Sequence, residues 1–426
     1  MIKIATYIEP ARGEWSELCQ RNIPQDDEIG ARVEGIIDSI AKGGDEALRA
    51  VVESIDGSAP ESFEISAEVI AAAEQSVSEE LKEALKQAKQ NIERFHSAQR
   101  HTPIELEVMS GVRCIQRAVA IRRVGIYVPG GTAPLVSTVL MLAIPAVIAG
   151  CKEVVLCTPP SKSGEVSAEI LYAAKLCGVD RIFALGGAQA VAAMAYGTES
   201  VPKVDKIFGP GNRYVTKAKQ IVSTNRVAID MPAGPSEVLV MADESARAEF
   251  VASDLLSQAE HGADSQSILV CNSEAFAIAV QEAVIEQTAQ LSRGEAIAKS
   301  LEQSRIVIFS DRAKMVEFSE EYAPEHLIIS MDDAWSVANE ITSAGSIFVG
   351  NYSPESAGDY ASGTNHTLPT GGWARSYSGV SLDSFTRKQT YQELTHDGIK
   401  SLAPTIIAMA AAEGLDAHAN AVKVRL

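Results

Sequence analysis

Apolar residues recur at three- and four-residue spacing over residues 24–54 and 66–100, with Glu, Lys and Gln between them, and predict two long amphipathic helices. The rhythm then changes. A β-branched run at 121–128 predicts a strand and ends in Pro129-Gly130-Gly131, and an apolar helix over 137–150 follows. Strands at 153–157, 181–185 and 206–208 alternate with helices at 167–177, 188–196 and 212–223. Further glycine turns, Gly186-Gly187 and Gly209-Pro210-Gly211, close the strands. Strand, glycine turn and helix in repetition predict a parallel sheet with right-handed crossovers. A second series begins after Gly234-Pro235-Ser236, with helices at 246–261, 275–291, 312–322 and 334–341 and strands at 267–271, 305–309, 327–329 and 346–349.

The expected fold is therefore α/β: two similar open, mostly parallel-sheet lobes of a variant Rossmann-like kind, with N-terminal helices and a C-terminal arm. Residues 1–20 form an N-terminal segment. Residues 21–120 together with 238–375 make one lobe, on which the long N-terminal helices are expected to pack. Residues 121–237 make the other, and residues 376–426 the arm, irregular except for a helix at 402–413.

With 426 residues the chain has ample core for two domains or more. Hydrophobic residues make up 46% and charged residues 22%, the balance of an ordinary soluble globular protein. A net charge of -19 argues against nucleic acid as a partner, because a phosphate backbone calls for a basic face. The longest apolar run, 136–149, is broken by Ser137, Thr138 and Pro145 and is too short to span a membrane. The first residues lack the regions of a signal peptide, so a cytoplasmic location is expected. The six cysteines are scattered without a C-x-x-C pair, which predicts reduced, mostly buried thiols rather than a cysteine zinc site.

Candidate chemistry gathers at two kinds of place. The three glycine turns fall at carboxyl ends of predicted strands, where open α/β sheets bind ligands. Backbone amides there can approach phosphates, although a single glycine after a strand is usually only a turn. The G-x-G-x-x-G and G-x-x-x-x-G-K-[ST] patterns are absent, so a dinucleotide would be held in a variant manner, with Tyr127, Gln189 and Asn212 as the adjacent polar residues. The other kind is histidine-bearing. Of seven histidines, four (His261, His326, His366, His418) lie in short polar segments. Gln258 and His261 stand three apart on a predicted helix, on one face, and make half a metal site. Glu325-His326 precedes a buried strand and offers two proton acceptors of different basicity. A polar loop supplies Glu355, Asp359 and His366. His418, with Glu413 five residues earlier, is a ligand without use unless its tail reaches the active site of another subunit.

The segments Tyr127-Val-Pro-Gly-Gly-Thr-Ala-Pro, Gly186-Gly-Ala-Gln-Ala, Phe208-Gly-Pro-Gly-Asn, Ala233-Gly-Pro-Ser-Glu-Val, Ser257-Gln-Ala-Glu-His-Gly, Pro324-Glu-His-Leu and Glu355-Ser-Ala-Gly-Asp-Tyr-Ala-Ser-Gly-Thr-Asn-His resemble, in order, the histidinol dehydrogenase family. The resemblance spans roughly residues 110 to 420. It implies a zinc-dependent, NAD-linked enzyme that oxidises L-histidinol to L-histidine through L-histidinaldehyde, the last step of histidine biosynthesis. It implies one Zn2+ per subunit on Gln258, His261 and Asp359, with His418 supplied by the other subunit of a homodimer. Glu325 and His326 fall where the family has its catalytic pair. Ser236, Glu355, His366 and the partner tail's Glu413 match substrate contacts, alongside the zinc ligands. Tyr127, Gln189 and Asn212 match nucleotide contacts. A neutral histidine suits the alcohol proton and a carboxylate suits the water that hydrates the aldehyde, hence His326 for the first and Glu325 for the second. A zinc hydrolase would leave the glycine turns idle, and a non-catalytic two-lobed binder would leave the Glu-His pair idle.

Overall fold

The computed structural model describes residues 3–21, 27–130, 134–232 and 234–426. The start of the first predicted helix (24–26), the turn glycine Gly131 and the motif residues Thr132, Ala133 and Ala233 lie outside the described residues. In chain order the strands are β1 (Ala5–Ile8), β2 (Ile104–Met109), β3 (Val112–Ala120), β4 (Arg123–Tyr127), β5 (Glu153–Thr158), β6 (Arg181–Ala184), β7 (Lys206–Phe208), β8 (Ala228–Ile229), β9 (Glu237–Ala242), β10 (Gln266–Cys271), β11 (Arg305–Ile308), β12 (His326–Ser330), β13 (Ser346–Val349) and β14 (Thr386–Leu394).

They form two parallel sheets and one antiparallel sheet. The five-stranded sheet runs β6-β5-β4-β7-β8 and the six-stranded sheet runs β1-β11-β10-β9-β12-β13. Leaving β1 aside, the two orders are the same: each lobe's first strand is central, the second and third lie to one side, and the fourth and fifth to the other. This is the doubly wound arrangement that right-handed crossovers produce. The central strand β9, Glu-Val-Leu-Val-Met-Ala, is buried along its whole length, as befits a parallel strand covered on both faces. Four apolar clusters fill the two faces of the two sheets.

The N-terminal helices do not pack on the six-stranded lobe, and the expectation that they do is corrected. The helix Asp27–Asp56 lays Val33, Ile37, Ile40 and Leu48 onto the alanine-rich helix Gly187–Tyr196 of the five-stranded lobe. The helix Glu79–Ser97 packs Leu85, Ala88 and Ile92 against Val136–Ala149, on the other face of the same sheet. Small side chains on the lobe's own helices leave apolar surface that the long helices cover. Residues 3–21 belong to the six-stranded lobe instead: β1 pairs with β11, and Trp15 is buried against Phe309 and Phe318.

A third sheet was not expected. β2 and β3 form an antiparallel hairpin, and β14 pairs with β3 from Thr386 opposite Ala120 to Leu394 opposite Val112. The arm then continues as helices His396–Ala412 and Asp416–Lys423. Ile104, Leu106 and Val108 stand more than half exposed on this sheet. No helix among the described residues is long and apolar enough to cross a membrane, and all six cysteines are free.

Candidate active site

A cleft of about 840 Å³ lies between the two lobes. Pro129, Gly209 and Asp230, just beyond β4, β7 and β8, give it the carboxyl edge of the five-stranded sheet. Glu237, Gln266 and His326, which open β9, β10 and β12, give it the amino edge of the six-stranded sheet. Register places these last three side by side: Glu237 opposes Gln266, and Val238 opposes His326.

On the amino edge the sequence candidates converge. Ser236, His261, Glu325, His326, Asp359 and His366 line the cleft. Gln258 and Glu355 sit immediately behind, 0% and 1% exposed. His326 is surrounded by carboxylates: Nδ1 is 3.6 Å from Glu325 Oε2 and 3.8 Å from Glu355 Oε1, and Nε2 is 3.6 Å from Asp359 Oδ1. His261 Nε2 lies 3.9 Å from Asp359 Oδ2 and 4.0 Å from Glu355 Oε1. The helix carrying Gln258 ends at Ala259, so His261 projects from the turn just past it rather than from the helix itself. Glu355 and Asp359 share the short helix Glu355–Tyr360, and the close approach of Gly345 to the Glu325 carbonyl leaves no room for a side chain there.

Burial and neighbouring charge set the protonation of these groups. Desolvation pushes Glu325 up to about 8, opposed by His326. Glu355 is raised by the same cause. Burial disfavours the charged form of His326, but Glu355, Glu325 and Asp359 outweigh it and raise the imidazole to about 10. That differs from the neutral histidine expected from the sequence, because three carboxylates face the ring. Burial works against ionised Asp359 too, but His326, His366 and His261 hold its carboxyl below the ordinary range. His366 is lowered, chiefly by burial; its Nδ1 faces the Asp359 carbonyl at 2.9 Å and its Nε2 faces Thr138 Oγ1 at 3.4 Å.

The cluster fits a divalent cation with a nitrogen-bearing ligand. His261, Glu355 and Asp359 offer donor atoms all within 4.8 Å of one another. Both amide atoms of Gln258, both carboxylate oxygens of Glu355 and Nε2 of His326 are buried without a hydrogen-bond partner. Buried polar atoms left unpaired are costly, and a bound cation with its substrate satisfies such atoms. The oxygen and imidazole donors present suit zinc.

The carboxyl edge of the other lobe is built from backbone. Gly209 adopts φ 119°, and a Cβ there would collide with the Tyr127 carbonyl. Asp230 holds this turn through the Gly209 N–H at 2.8 Å, and Lys219 donates to the Gly209 carbonyl at 2.8 Å. Asn212 caps the helix Arg213–Ser223 and lines the cleft. A turn that presents backbone and a helix N-terminus to a cleft suits the phosphates of a dinucleotide. Tyr127 and Gln189, also expected here, are buried within the lobe at 3% and 2% exposure. The Tyr127 hydroxyl accepts the Gly187 N–H at 3.1 Å.

The arm does not reach this chain's own cleft. His418 and Glu413 are exposed on the C-terminal helices, and no residue beyond 375 lines the cavity. Sequence reading also passed over supporting groups. His96, fully buried, faces Asn365 at 3.4 Å, and Asn365 donates to the Met141 carbonyl at 2.6 Å, which pins the loop before His366. Thr138, read only as a break in an apolar run, faces His366. The charged surroundings of His96 and the apolar run around Thr138 gave no hint of either contact.

The family model for histidinol dehydrogenase matches residues 19–426. Histidinol dehydrogenase of Bacteroides fragilis (strain YCH46) is 56% identical over 425 residues, covering 100% of this chain and 99% of that one. That of Escherichia coli (strain K12) is 54% identical over 406 residues, covering 95% and 93%. The crystal structure of histidinol dehydrogenase from Elizabethkingia anophelis superposes with a TM-score of 0.97 at 50% identity, covering 100% of this chain and 98% of that one.

Proposed function

The chain belongs to the histidinol dehydrogenase family, and from that premise we propose that it oxidises L-histidinol to L-histidine through L-histidinaldehyde with two molecules of NAD, using one zinc ion per subunit, in the cytoplasm. The observation that carries the reading is the set of orphaned buried polar atoms on Gln258, Glu355 and His326 beside His261 and Asp359. Gln258, His261 and Asp359 would hold the zinc, with His418 of the partner subunit, and the ion would anchor the nitrogen atoms of the substrate. NAD, with its phosphates at the Gly209–Asn212 turn near Tyr127 and Gln189, would present oxidised nicotinamide to accept the hydride in each step.

The remaining work falls to side chains of this chain. His326 takes the proton of the alcohol as hydride leaves the carbinol carbon, and the aldehyde results. Its imidazole must be free to accept, and positive charge gathered at Asp359 offsets the carboxylates that otherwise keep it protonated. Glu325 takes a proton from the water that adds to the aldehyde while His326, protonated in the first step, returns its proton to the carbonyl oxygen, forming the gem-diol. Loss of the second hydride and of the remaining protons gives the carboxylate. Glu355, and Glu413 of the partner subunit, pair with the ammonium or imidazole of the substrate, and Ser236 and His366 border it. A homodimer is part of this reading: the arm leaves its own lobes, the sheet beside it exposes Ile104, Leu106 and Val108, and among the described residues none beyond 375 lines the chain's own cleft, so His418 and Glu413 would act in a partner's site.

The test is direct. Zinc-loaded protein given histidinol and NAD should generate two equivalents of NADH per histidine formed. A flat absorbance trace from folded, zinc-loaded protein would remove the proposal.

A further inference from the structure

Beneath the Glu325–His326 pair lies a buried charge that the reaction itself does not use. β9 is apolar from Val238 to Ala242, yet it opens with Glu237, whose side chain is 1% exposed. Its partner comes from 216 residues away. Arg21 grips the Glu237 carboxylate with both arms of its fork, Nε to Oε2 at 2.8 Å and Nη2 to Oε1 at 2.9 Å. The same guanidinium donates to the Tyr322 carbonyl at 2.6 Å and to the Cys19 carbonyl at 3.2 Å, and lies 3.6 Å over the Tyr322 ring. The Tyr322 hydroxyl donates to Gln266 Oε1 at 2.7 Å, and Gln266 N–H donates to the Ser236 carbonyl at 3.3 Å. Although Arg21 reaches the cleft wall, its donors are directed at protein acceptors, so it is poorly placed to take substrate.

The backbone of Glu237 serves the site directly. Its N–H donates to Glu325 Oε2 at 2.9 Å, and its carbonyl faces His326 Nδ1 at 3.4 Å. β9 is already laddered to β10 and β12 on both sides, so the strand forms without a buried ion pair at its first residue. An ion pair in such a place is a poor stabiliser compared with apolar packing, and a specificity role is the better account of it.

We propose that Arg21 is a positioning residue for proton transfer: by clamping Glu237 it fixes the backbone N–H and carbonyl that orient Glu325 and His326. The proposal rests on the assignment of those two residues to proton transfer. Catalytic geometry of this kind is intolerant, and a displacement near 1 Å costs on the order of 10²-fold in rate.

The experiment compares Arg21→Ala, Arg21→Lys and Glu237→Gln with unmodified protein, measuring kcat and KM for histidinol and for histidinaldehyde, zinc content and thermal unfolding. Arg21→Ala and Glu237→Gln should lower kcat by on the order of 10²-fold while KM for histidinol stays within about threefold and zinc content is unchanged. Aldehyde oxidation should fall at least as far as alcohol oxidation, since Glu325 is bonded directly to Glu237. Arg21→Lys should recover part of the loss. Arg12→Ala, which removes an exposed ion pair to Glu321 on the same N-terminal segment, should leave kcat as it was. Should Arg21→Ala fail to fold, Arg21→Lys and Glu237→Gln decide by the same criteria. Folded, zinc-loaded variants with unaltered kcat, or with losses confined to KM, overturn the positioning role. Unmodified protein that never reduces NAD with histidinol overturns the underlying assignment instead.

Discussion

Replacing Glu325 by glutamine should separate the two oxidations of the proposed reaction. The carboxylate is 5% exposed, accepts the Glu237 N–H at 2.9 Å and lies 3.6 Å from His326 Nδ1. Glutamine keeps its volume and can accept the same N–H through its amide oxygen, so the pocket stays filled. What disappears is the proton acceptor for the attacking water. A positioned general base contributes about 10²–10⁴-fold, which is about 2.7–5.5 kcal/mol of barrier. In the proposed reaction the alcohol step relies on His326, and removing one of the three carboxylates that face it eases that ring toward its neutral form. Alcohol oxidation should therefore stay within about tenfold of the unmodified rate. Histidinol and histidinaldehyde supplied separately, with NADH followed in single turnover, distinguish the steps: histidinol should yield one equivalent of NADH and then stall. Burial pushes Glu325 up to about 8, and a carboxyl must be ionised to act as a base. In unmodified protein the aldehyde step should thus climb as pH rises toward about 8 and level off above it; in the variant that climb should be absent. Equal losses in both steps, or an unchanged pH profile in Glu325→Gln, would refute the role.

Three further outcomes are expected. Mixing inactive His261→Ala with inactive His418→Ala subunits should restore about a quarter of the sites, because half of randomly formed dimers then carry one intact site of two; no recovery on mixing shows that each site is built within one chain. Gly209→Ala should strain a backbone held at φ 119° against the Tyr127 carbonyl, costing about 1–3 kcal/mol and raising KM for NAD far more than KM for histidinol, and an unchanged KM for NAD would count against a dinucleotide at this turn. Burial pushes Asp254 up to about 7, so between the ordinary aspartate value and about 7 the folded protein keeps a proton that the unfolded chain has lost. Stability should fall as pH rises through that window by on the order of a few kcal/mol, and denaturant titrations of Asp254→Asn should show the fall diminished; an identical pH dependence would exclude it.

Much of the architecture was legible because parallel strands buried on both faces read as short apolar runs between glycine turns. β7, β13 and the helix Arg312–Tyr322 lie where periodicity placed them. β14, Thr-Arg-Lys-Gln-Thr-Tyr-Gln-Glu-Leu, was illegible for the opposite reason: its burial pattern is exposed almost throughout, so no face is apolar and its pairing with β3 leaves no local trace. The long N-terminal helices announced their amphipathic stripes but not their target, since a stripe specifies that it must be covered and not by what. At the site, Glu325, His326 and Asp359 stood out as titratable residues in short polar stretches. Arg21 and Glu237 did not: one is a single arginine after Gln20, the other the first residue of an apolar strand, and only the folded topology brings them together.

The lobes share one strand order but meet by unlike ends, the outgoing ends of one sheet against the incoming ends of the other. The proposed reaction spends two dinucleotides on one substrate, and such a course has to retain a reactive aldehyde while its oxidant is exchanged. In the proposed reaction retention and exchange would fall to separate bodies: this chain's own candidate anchors and proton carriers within the cleft sit on the six-stranded side, and the Gly209–Asn212 turn sits on the other. On that reading spent cofactor would depart from its own wall while the anchors of the intermediate stayed in place.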